Sequence, residues 1–168
     1  MIIRIKQFFR GIFHRVGNNE YKFICTYLNS YELSLFKKLT SYEKIHTYTV
    51  AKMISEKLNS EAYNRNVDKD RLIKAALLHD IGKIECPMNI IEKSIIVILD
   101  KFFSNCLKHS KNKKIYIYYN HAEVGYEILS NKEYSQEFIN IIRFHHSDNI
   151  QVVNKEEIEL LKQIDSQT

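Results

Sequence analysis

Residues 75–84 have the sequence AALLHDIGKI, in which a histidine and an aspartate stand side by side at the end of an apolar, helix-forming run. The neutral imidazole of His79 is a nitrogen ligand and the carboxylate of Asp80 is a hard oxygen ligand, a pairing that suits divalent iron, manganese, zinc or cobalt. An aspartate is rarely buried unless it is paired or coordinates a metal. Because the apolar run predicts that both side chains lie in the protein interior, the pair indicates a metal site.

The composition is typical of one mostly helical, soluble domain. The chain has 168 residues, of which 45% are hydrophobic and 27% charged, with only four glycines and one proline. So few helix breakers favour long helices over strands. The net charge of +5 favours anionic ligands, but nothing predicts sequence-specific binding of nucleic acid or a particular oligomeric state. Three cysteines without a CxxC pair, and the lack of a secretory signal, predict a reducing, cytoplasmic location.

The first 17 residues carry four basic side chains and no acid. Apolar residues recur among them at helical spacing, namely Ile5, Phe9, Ile12 and Val16. The pattern predicts a basic amphipathic helix, which would make a peripheral contact with an anionic membrane only if a stronger second signal joined it. We therefore favour a helix that packs on the body of the protein. It would belong to an N-terminal helical extension over residues 1–39, followed by the main domain over residues 40–168.

Helical periodicity places further metal-binding side chains on the inward faces of predicted helices. A capping box from Thr40 to Glu43 predicts the start of one such helix. Near the end of the chain, Asp165 lies on the apolar stripe of the last predicted helix, an unusual place for an unpaired carboxylate. Asp148, in a predicted loop, is its rival as a ligand. The histidines on an inward face or at a helix edge are His46, His79, His121, His145 and His146.

Side chains that converge from several helices are how metal sites in helical bundles are built. We predict two sites: His46, His79, Asp80 and Asp165 for one metal, and His121, His145 and His146 for a second, with Asp80 as the bridge. Adjacent helical residues point about 100° apart, so His145 and His146 can both ligate only near a helix end. The predicted cofactors are two divalent ions, iron or manganese ahead of magnesium, cobalt, nickel or zinc.

The same cluster predicts a reaction. A hydroxide held between two metals is a strong nucleophile near neutral pH, and it would attack phosphorus while Asp80 holds and orients it. Lys83, three residues further on, would bind a phosphoryl oxygen of the substrate and neutralise its developing charge. An ordinary surface lysine is the plain alternative. Asp80 and Lys83 are therefore the candidate catalytic residues.

His46, the His79-Asp80 pair and Asp165 resemble the H…HD…D signature of the HD superfamily of metal-dependent phosphohydrolases. The resemblance spans about residues 40–166. It implies an all-α fold, a single HD-domain helical bundle. It also implies hydrolysis of a phosphomonoester or phosphodiester of a small molecule or nucleotide.

Finer motifs resemble the HDIG subgroup and, more closely, its HD-GYP branch. They are residues 79–87, HDIGKIECP, residues 121–129, HAEVGYEIL, and the paired histidines at 145 and 146. Two departures matter. Residues 147–150 read SDNI, so no Gly-Tyr-Pro follows the paired histidines, and Tyr42 stands where some members carry a glutamate for a third metal. A cyclic dinucleotide substrate and a trinuclear site are therefore not expected.

Two alternatives to a hydrolase stay open. The same ligands can hold a di-iron centre that activates dioxygen, as in the mixed-valent oxygenase relatives of the HD superfamily. A non-enzymatic HD-fold sensor or membrane-associated regulator is motivated by the basic residues 1–17, although the complete ligand set argues against it. Lys83 and the HDIG context favour the hydrolase. The long stretch between Asp80 and His121 is expected to be helical and to form a lid over the site or to pack on its side.

Overall fold

The computed structural model describes residues 16–60 and 67–168. Within these ranges the chain forms eight α-helices and one 3₁₀ helix and no strand. They are α1 (Asn18–Tyr27), α2 (Ser30–Lys38), α3 (Ser41–Leu58), α4 (Lys69–Leu78), the 3₁₀ helix (Ile81–Glu85), α5 (Ile90–Lys108), α6 (Lys113–Ser130), α7 (Gln136–Phe144) and α8 (Lys155–Asp165). The predicted all-α fold is confirmed. Residues 1–15, with most of the predicted basic amphipathic helix, lie outside the described residues.

The central helix of the bundle is α4, which is the apolar run that precedes His79. Six of its ten residues are buried, which is typical of a helix surrounded by others. It packs against α1, α2, α3, α7 and α8. Because α4 ends at Leu78, the next two residues, His79 and Asp80, enter the middle of the protein.

Local sequence fixes where α3 and α8 lie along this central helix. The Thr40 hydroxyl accepts a hydrogen bond from the backbone of Glu43, whose carboxylate accepts one from the backbone of Thr40, so α3 begins where the capping box predicts. At the start of α8, the buried carboxylate of Glu157 accepts hydrogen bonds from the backbone of Asp68 and the guanidinium of Arg71. This contact ties α8 to the start of α4.

The 3₁₀ helix lies very close to α6 because two glycines face each other. A Cβ atom on Gly82 would lie 2.0 Å from the carbonyl oxygen of His121 and 2.7 Å from the amide nitrogen of Gly125. Any larger residue at position 82 would therefore push the two elements apart. The close approach brings Asp80, just before the 3₁₀ helix, beside His121 in the middle of α6.

Helix α5 lies at the edge of the bundle and packs mainly on α6. Glu92 forms an ion pair with Lys114, and the Asp100 carboxylate accepts hydrogen bonds from the hydroxyls of Tyr118 and Tyr119. The first turns of α5 and the start of α6 therefore lie side by side in the same direction. At Phe103 the backbone leaves the helical region (φ −133°, ψ 29°) and α5 bends. None of the described helices has both the length and the apolar character needed to cross a membrane.

We predict that Gly82→Ala lowers the free energy of unfolding by about 2–3 kcal/mol, because an added methyl group would overlap backbone atoms that cannot rotate away. Chemical denaturation followed by circular dichroism measures the change. Gly125→Ala is the matched control. Its Cβ would meet its nearest neighbours at 3.3 Å, one of them the flexible side chain of Ile142, so we expect a loss of about 1 kcal/mol or less. Equal stability of Gly82→Ala and the unaltered chain would contradict the close approach.

Candidate metal centre

Seven side chains that can bind a metal converge in the core, at the point where the ends or middles of five helices meet. They are all the ligands predicted from the sequence: His46 on α3, His79 and Asp80 after α4, His121 on α6, His145 and His146 after α7, and Asp165 on α8. In three sets of residues the potential ligand atoms all lie within 4.8 Å of one another. The sets are His46, His79 and Asp165; His121, His145 and His146; and His79, Asp80 and His145.

Asp80 lies between the first two sets. Its Oδ1 atom is 3.2 Å from Nε2 of His121, while its Oδ2 atom is 3.7 Å from Nε2 of His46 and 3.7 Å from Nε2 of His79. The side chain is only 1% exposed. The two carboxylate oxygens thus face different sets of histidines, which is the arrangement that a bridging ligand needs.

Backbone carbonyl groups hold three of the histidines with Nε2 turned toward the centre of the cluster. In each, Nδ1 donates a hydrogen bond to the carbonyl oxygen three residues earlier, at 2.8 Å for His79, 2.7 Å for His145 and 3.2 Å for His121. Because a carbonyl oxygen only accepts, Nδ1 carries the proton and Nε2 keeps its lone pair. Metal-binding histidines are usually oriented by such a bond.

Two of these nitrogen atoms show that the cluster fits a cation. Nε2 of His79 and Nε2 of His145 are buried and have no hydrogen-bond partner among the described residues. A buried acceptor without a partner costs free energy, so native proteins leave few of them unexplained. A divalent ion bound among these side chains would accept the lone pairs of both nitrogen atoms. The histidines and carboxylates therefore fit a divalent cation that takes both nitrogen and oxygen ligands.

The histidines of the second set are neutral near neutral pH. Burial and then the neighbouring His146 hold the pKa of His145 well below its usual range. His146 faces the open cavity, yet desolvation and then His121 lower its pKa to about 4. Burial also lowers the pKa of His121 and of His46. An uncharged imidazole is the form that binds a metal, so the cluster does not need to release protons from these rings.

The carboxylates are ionised. Burial by itself would raise the pKa of Asp80, but Lys83 and then His79 outweigh it and hold that pKa well below its usual range. At Asp165 the adjacent imidazoles of His46 and His79 likewise outweigh burial and lower its pKa. His79 responds in the opposite direction, because Asp80 and Asp165 overcome its burial and raise its pKa. The raised pKa favours a second proton on His79, at Nε2, and a cation bound to the two carboxylates would displace that second proton.

The end of α7 explains how two adjacent histidines reach one place. The helix ends at Phe144, and His145 and His146 form the turn that follows it. Their ring centroids are 4.1 Å apart. Nε2 of His146 lies 3.0 Å from Nε2 of His121. His145 and His146 therefore lie just after a helix end, which is the position that helical geometry requires if both are to bind one metal.

The structure also separates the two rival carboxylates. Asp148 is 99% exposed and forms an ion pair with Lys162 at 2.6 Å, away from the histidines. Asp165 instead places Oδ1 2.9 Å from Nε2 of His46 and 3.6 Å from Nε2 of His79. The geometry thus favours Asp165 over Asp148 as the carboxylate of the first set.

Lys83 lies inside the site and is not an ordinary surface lysine. Its side chain is 10% exposed, and its Nζ atom lies 2.6 Å from Oδ2 of Asp80. Burial lowers its pKa, but Asp80 outweighs burial and the pKa is raised overall. The ammonium group therefore stays charged beside the metal-binding side chains.

A cavity of about 920 Å³ opens onto the cluster. Its inner end is lined by Asp80, Lys83 and His121, among others. One side is formed by the inner face of α5, which we define as Lys93, Ser94, Val97 and Asp100. The long stretch between Asp80 and His121 thus packs on the side of the site, one of the two arrangements expected for it. The volume lies within the range of about 300–1,000 Å³ that is typical of small-molecule sites.

Two groups in the cavity wall were not predicted from the sequence. Lys93 lies on the inner face of α5 with Nζ 4.7 Å from the ring centroid of Tyr42, and burial and then Lys83 lower its pKa to about 8. The other is Asp100, which holds the hydroxyls of Tyr118 and Tyr119. Lys93 and Asp100 are seven residues apart, a spacing that places both on one side of a helix. This signal would have identified them only if the side of α5 that faces inward had been known.

A protein-family model described as HD domain matches residues 44–166. The chain belongs to the HD domain family. The match runs from α3 to α8 and contains all seven side chains of the cluster, and it confirms the superfamily that the sequence motifs predicted. Membership of the HD family indicates a metal-dependent hydrolase fold. No curated protein and no solved structure gave a significant match.

We predict that the two halves of the HD-domain cluster can be emptied separately. Asp165→Ala should remove about one divalent ion per chain, His121→Ala should remove the other, and Asp80→Ala should remove both, because it faces both sets. Elemental analysis after loading with manganese or iron and dialysis measures the metal content. Asp148→Ala and His109→Ala, which change exposed residues, are the controls and should retain the full content. Full metal content in Asp165→Ala and Asp80→Ala would refute the assignment.

Proposed function

We propose that this HD domain is a binuclear, metal-dependent phosphohydrolase of the HDIG subgroup that cleaves a phosphomonoester or phosphodiester of a small molecule or nucleotide. The observation that carries the proposal is the buried carboxylate of Asp80, with one oxygen facing each set of histidines and Lys83 beside it. Two divalent ions held by these sets would supply an activated water and positive charge for a phosphate group.

Lys83 and Asp80 would do the chain's own part of the work. Lys83 is a permanent cation that lines the cavity at its inner end, so it would bind a phosphoryl oxygen and offset the charge that develops during cleavage. Asp80 forms an ion pair with Lys83 and would hold that ammonium group in place. It would also orient the attacking water by accepting a hydrogen bond from it.

The residues that line the cavity suit a small substrate with one anionic end. Lys83 and Lys93 both line it, close to the metal-binding side chains, and suit a phosphate group. Further along, Val97, Ile98 and Met88 provide apolar contacts for the remainder of the molecule. Residues 147–150 lack the Gly-Tyr-Pro motif, so the proposal does not extend to cyclic dinucleotides.

The test is a panel of phosphomonoesters and phosphodiesters with the manganese-loaded protein. We expect hydrolysis of at least one ester, and a loss of activity of about 10²-fold or more in His79→Ala and Asp80→Ala. Lys83→Met should keep its metal and lower kcat by roughly 10²-fold, the scale of removing one charge-stabilising group. Lys132→Ala, which removes an exposed lysine, should behave like the unaltered chain.

Three outcomes would contradict the proposal. Unchanged kcat in Lys83→Met would remove the role of that lysine. Oxygen consumption by iron-loaded protein prepared without oxygen, with no ester cleaved, would favour a di-iron oxygenase. Full metal loading with neither activity would favour a non-enzymatic sensor or regulator.

A further inference from the structure

The outer face of α5 is a continuous group of exposed apolar side chains. We define this outer face as Ile91, Ile95, Ile98, Leu99, Phe102 and Phe103, which are between 38% and 69% exposed. They recur at the three- and four-residue spacing that places side chains on one side of a helix. Only Ile96 of α5 is buried among the residues that the structure describes. The helix therefore offers most of its apolar surface to something other than the described bundle.

The size of this surface marks it as a binding site. With 38–69% of each of these six large residues exposed, the outer face of α5 amounts to an apolar surface on the order of several hundred Å². The largest apolar patch on a typical monomeric protein is about 300–600 Å² and is often functional, and larger patches usually bind a partner or a membrane. Single exposed residues elsewhere, such as Val153, do not form such a patch.

Three basic residues without an ion pair lie on α5 or directly after it. Nζ of Lys101 lies 5.9 Å from the ring centroid of Phe102, which belongs to the outer face. Lys108, in the last turn of α5, instead lies with Nζ 5.9 Å from the ring centroid of Tyr119, and Lys111 follows in the connection to α6. All three are exposed. Within residues 16–60 and 67–168, no carboxylate lies within ion-pair distance of any of them.

The acids of α5 do not offset this charge. Glu92 is bound to Lys114, and Asp100 is turned inward to Tyr118 and Tyr119. The outer face therefore combines a broad apolar surface with the unpaired positive charge of Lys101 beside it. This is the combination found in helices that lie in the interface of an anionic membrane.

We propose that the outer face of α5 docks on an anionic lipid bilayer, with its apolar side chains among the headgroups and with Lys101 and the exposed Lys111 against acidic lipids. A second copy of the chain fits less well. A two-fold contact through this face would place the unpaired lysines of both copies in one interface, and neither acid of α5 is free to pair with them. The proposal does not depend on the phosphohydrolase activity, because it rests on side chains outside the metal cluster.

The position of the outer face also relates the membrane to the cavity. Ile98 belongs to the outer face, at 60% exposure, and also lines the cavity. The cavity therefore opens at the edge of the surface that would meet the bilayer.

Vesicle flotation of the full chain tests the proposal. The probes are vesicles of phosphatidylcholine alone and vesicles that also contain phosphatidylglycerol. The full chain should float with the anionic vesicles, and less of it should do so at high salt. In I95E/F102E the recovered fraction should fall roughly tenfold or more, because two charges would enter the apolar region. V153E, which adds the same charge at an exposed valine away from α5, should float like the unaltered chain.

A second variant separates charge from apolar contact. K101E/K111E should lose most of its preference for phosphatidylglycerol, since each lysine near an anionic surface adds to binding. Circular dichroism and metal content should be unchanged in I95E/F102E, because neither residue lines the cavity. These readouts distinguish a failure of the membrane proposal from misfolding or from a failure of the metal site.

The contradicting results are equally distinct. Flotation of I95E/F102E at the level of the unaltered chain would place any lipid contact elsewhere, for example in residues 1–15, and would overturn the proposal. No flotation of the full chain with either vesicle would do the same. A dimer in light scattering that I95E/F102E converts to a monomer, without flotation, would show that a second copy covers the outer face of α5.

Discussion

The ionised, buried carboxylate of Asp80 is the constraint on which the rest of this HD domain depends. A charge that is only 1% exposed is tolerated in a protein core when other groups compensate for it. Lys83 does so at 2.6 Å, and His121 lies 3.2 Å from the other oxygen. Because these neighbours outweigh burial, the pKa of Asp80 falls where burial by itself would raise it. The compensation that makes the charge tolerable also brings together the donors of a metal centre.

The scaffold places these donors through packing between rigid elements. The apolar faces of α4 require that helix to be central, and Asp80 therefore enters the core directly after it. Gly82 lets the 3₁₀ helix approach α6 closely enough for Asp80 to reach His121, and Glu157 ties α8, which carries Asp165, to the start of α4. Sites held by such packing are better defined than sites on loops. Helix α5 is different, because it contributes a cavity wall on one side and an uncovered apolar surface on the other.

Some of this could be predicted from the sequence because it follows from local patterns. The apolar run before the His79-Asp80 pair, the capping box at Thr40 and the apolar stripe beneath Asp165 each have a fixed period or spacing. The convergence of these residues required the assumption that the helices surround one shared core, as they do in bundles whose metal sites are built from several helices. Lys93 could not be placed, since apolar residues surround α5 on nearly all sides and its periodicity does not show which face is inward. The bend at Phe103 could not be predicted either, because no proline or glycine lies near it in the sequence.

X-ray absorption spectroscopy of the manganese- or iron-loaded full chain tests the central claim, that Asp80 joins two metal sites, most directly. We expect imidazole scattering together with a metal–metal contribution. That contribution should be lost in Asp165→Ala, where only the set around His121 remains complete. A fully loaded protein with imidazole scattering and no metal–metal contribution would show isolated metal sites. It would contradict the bridging role of Asp80.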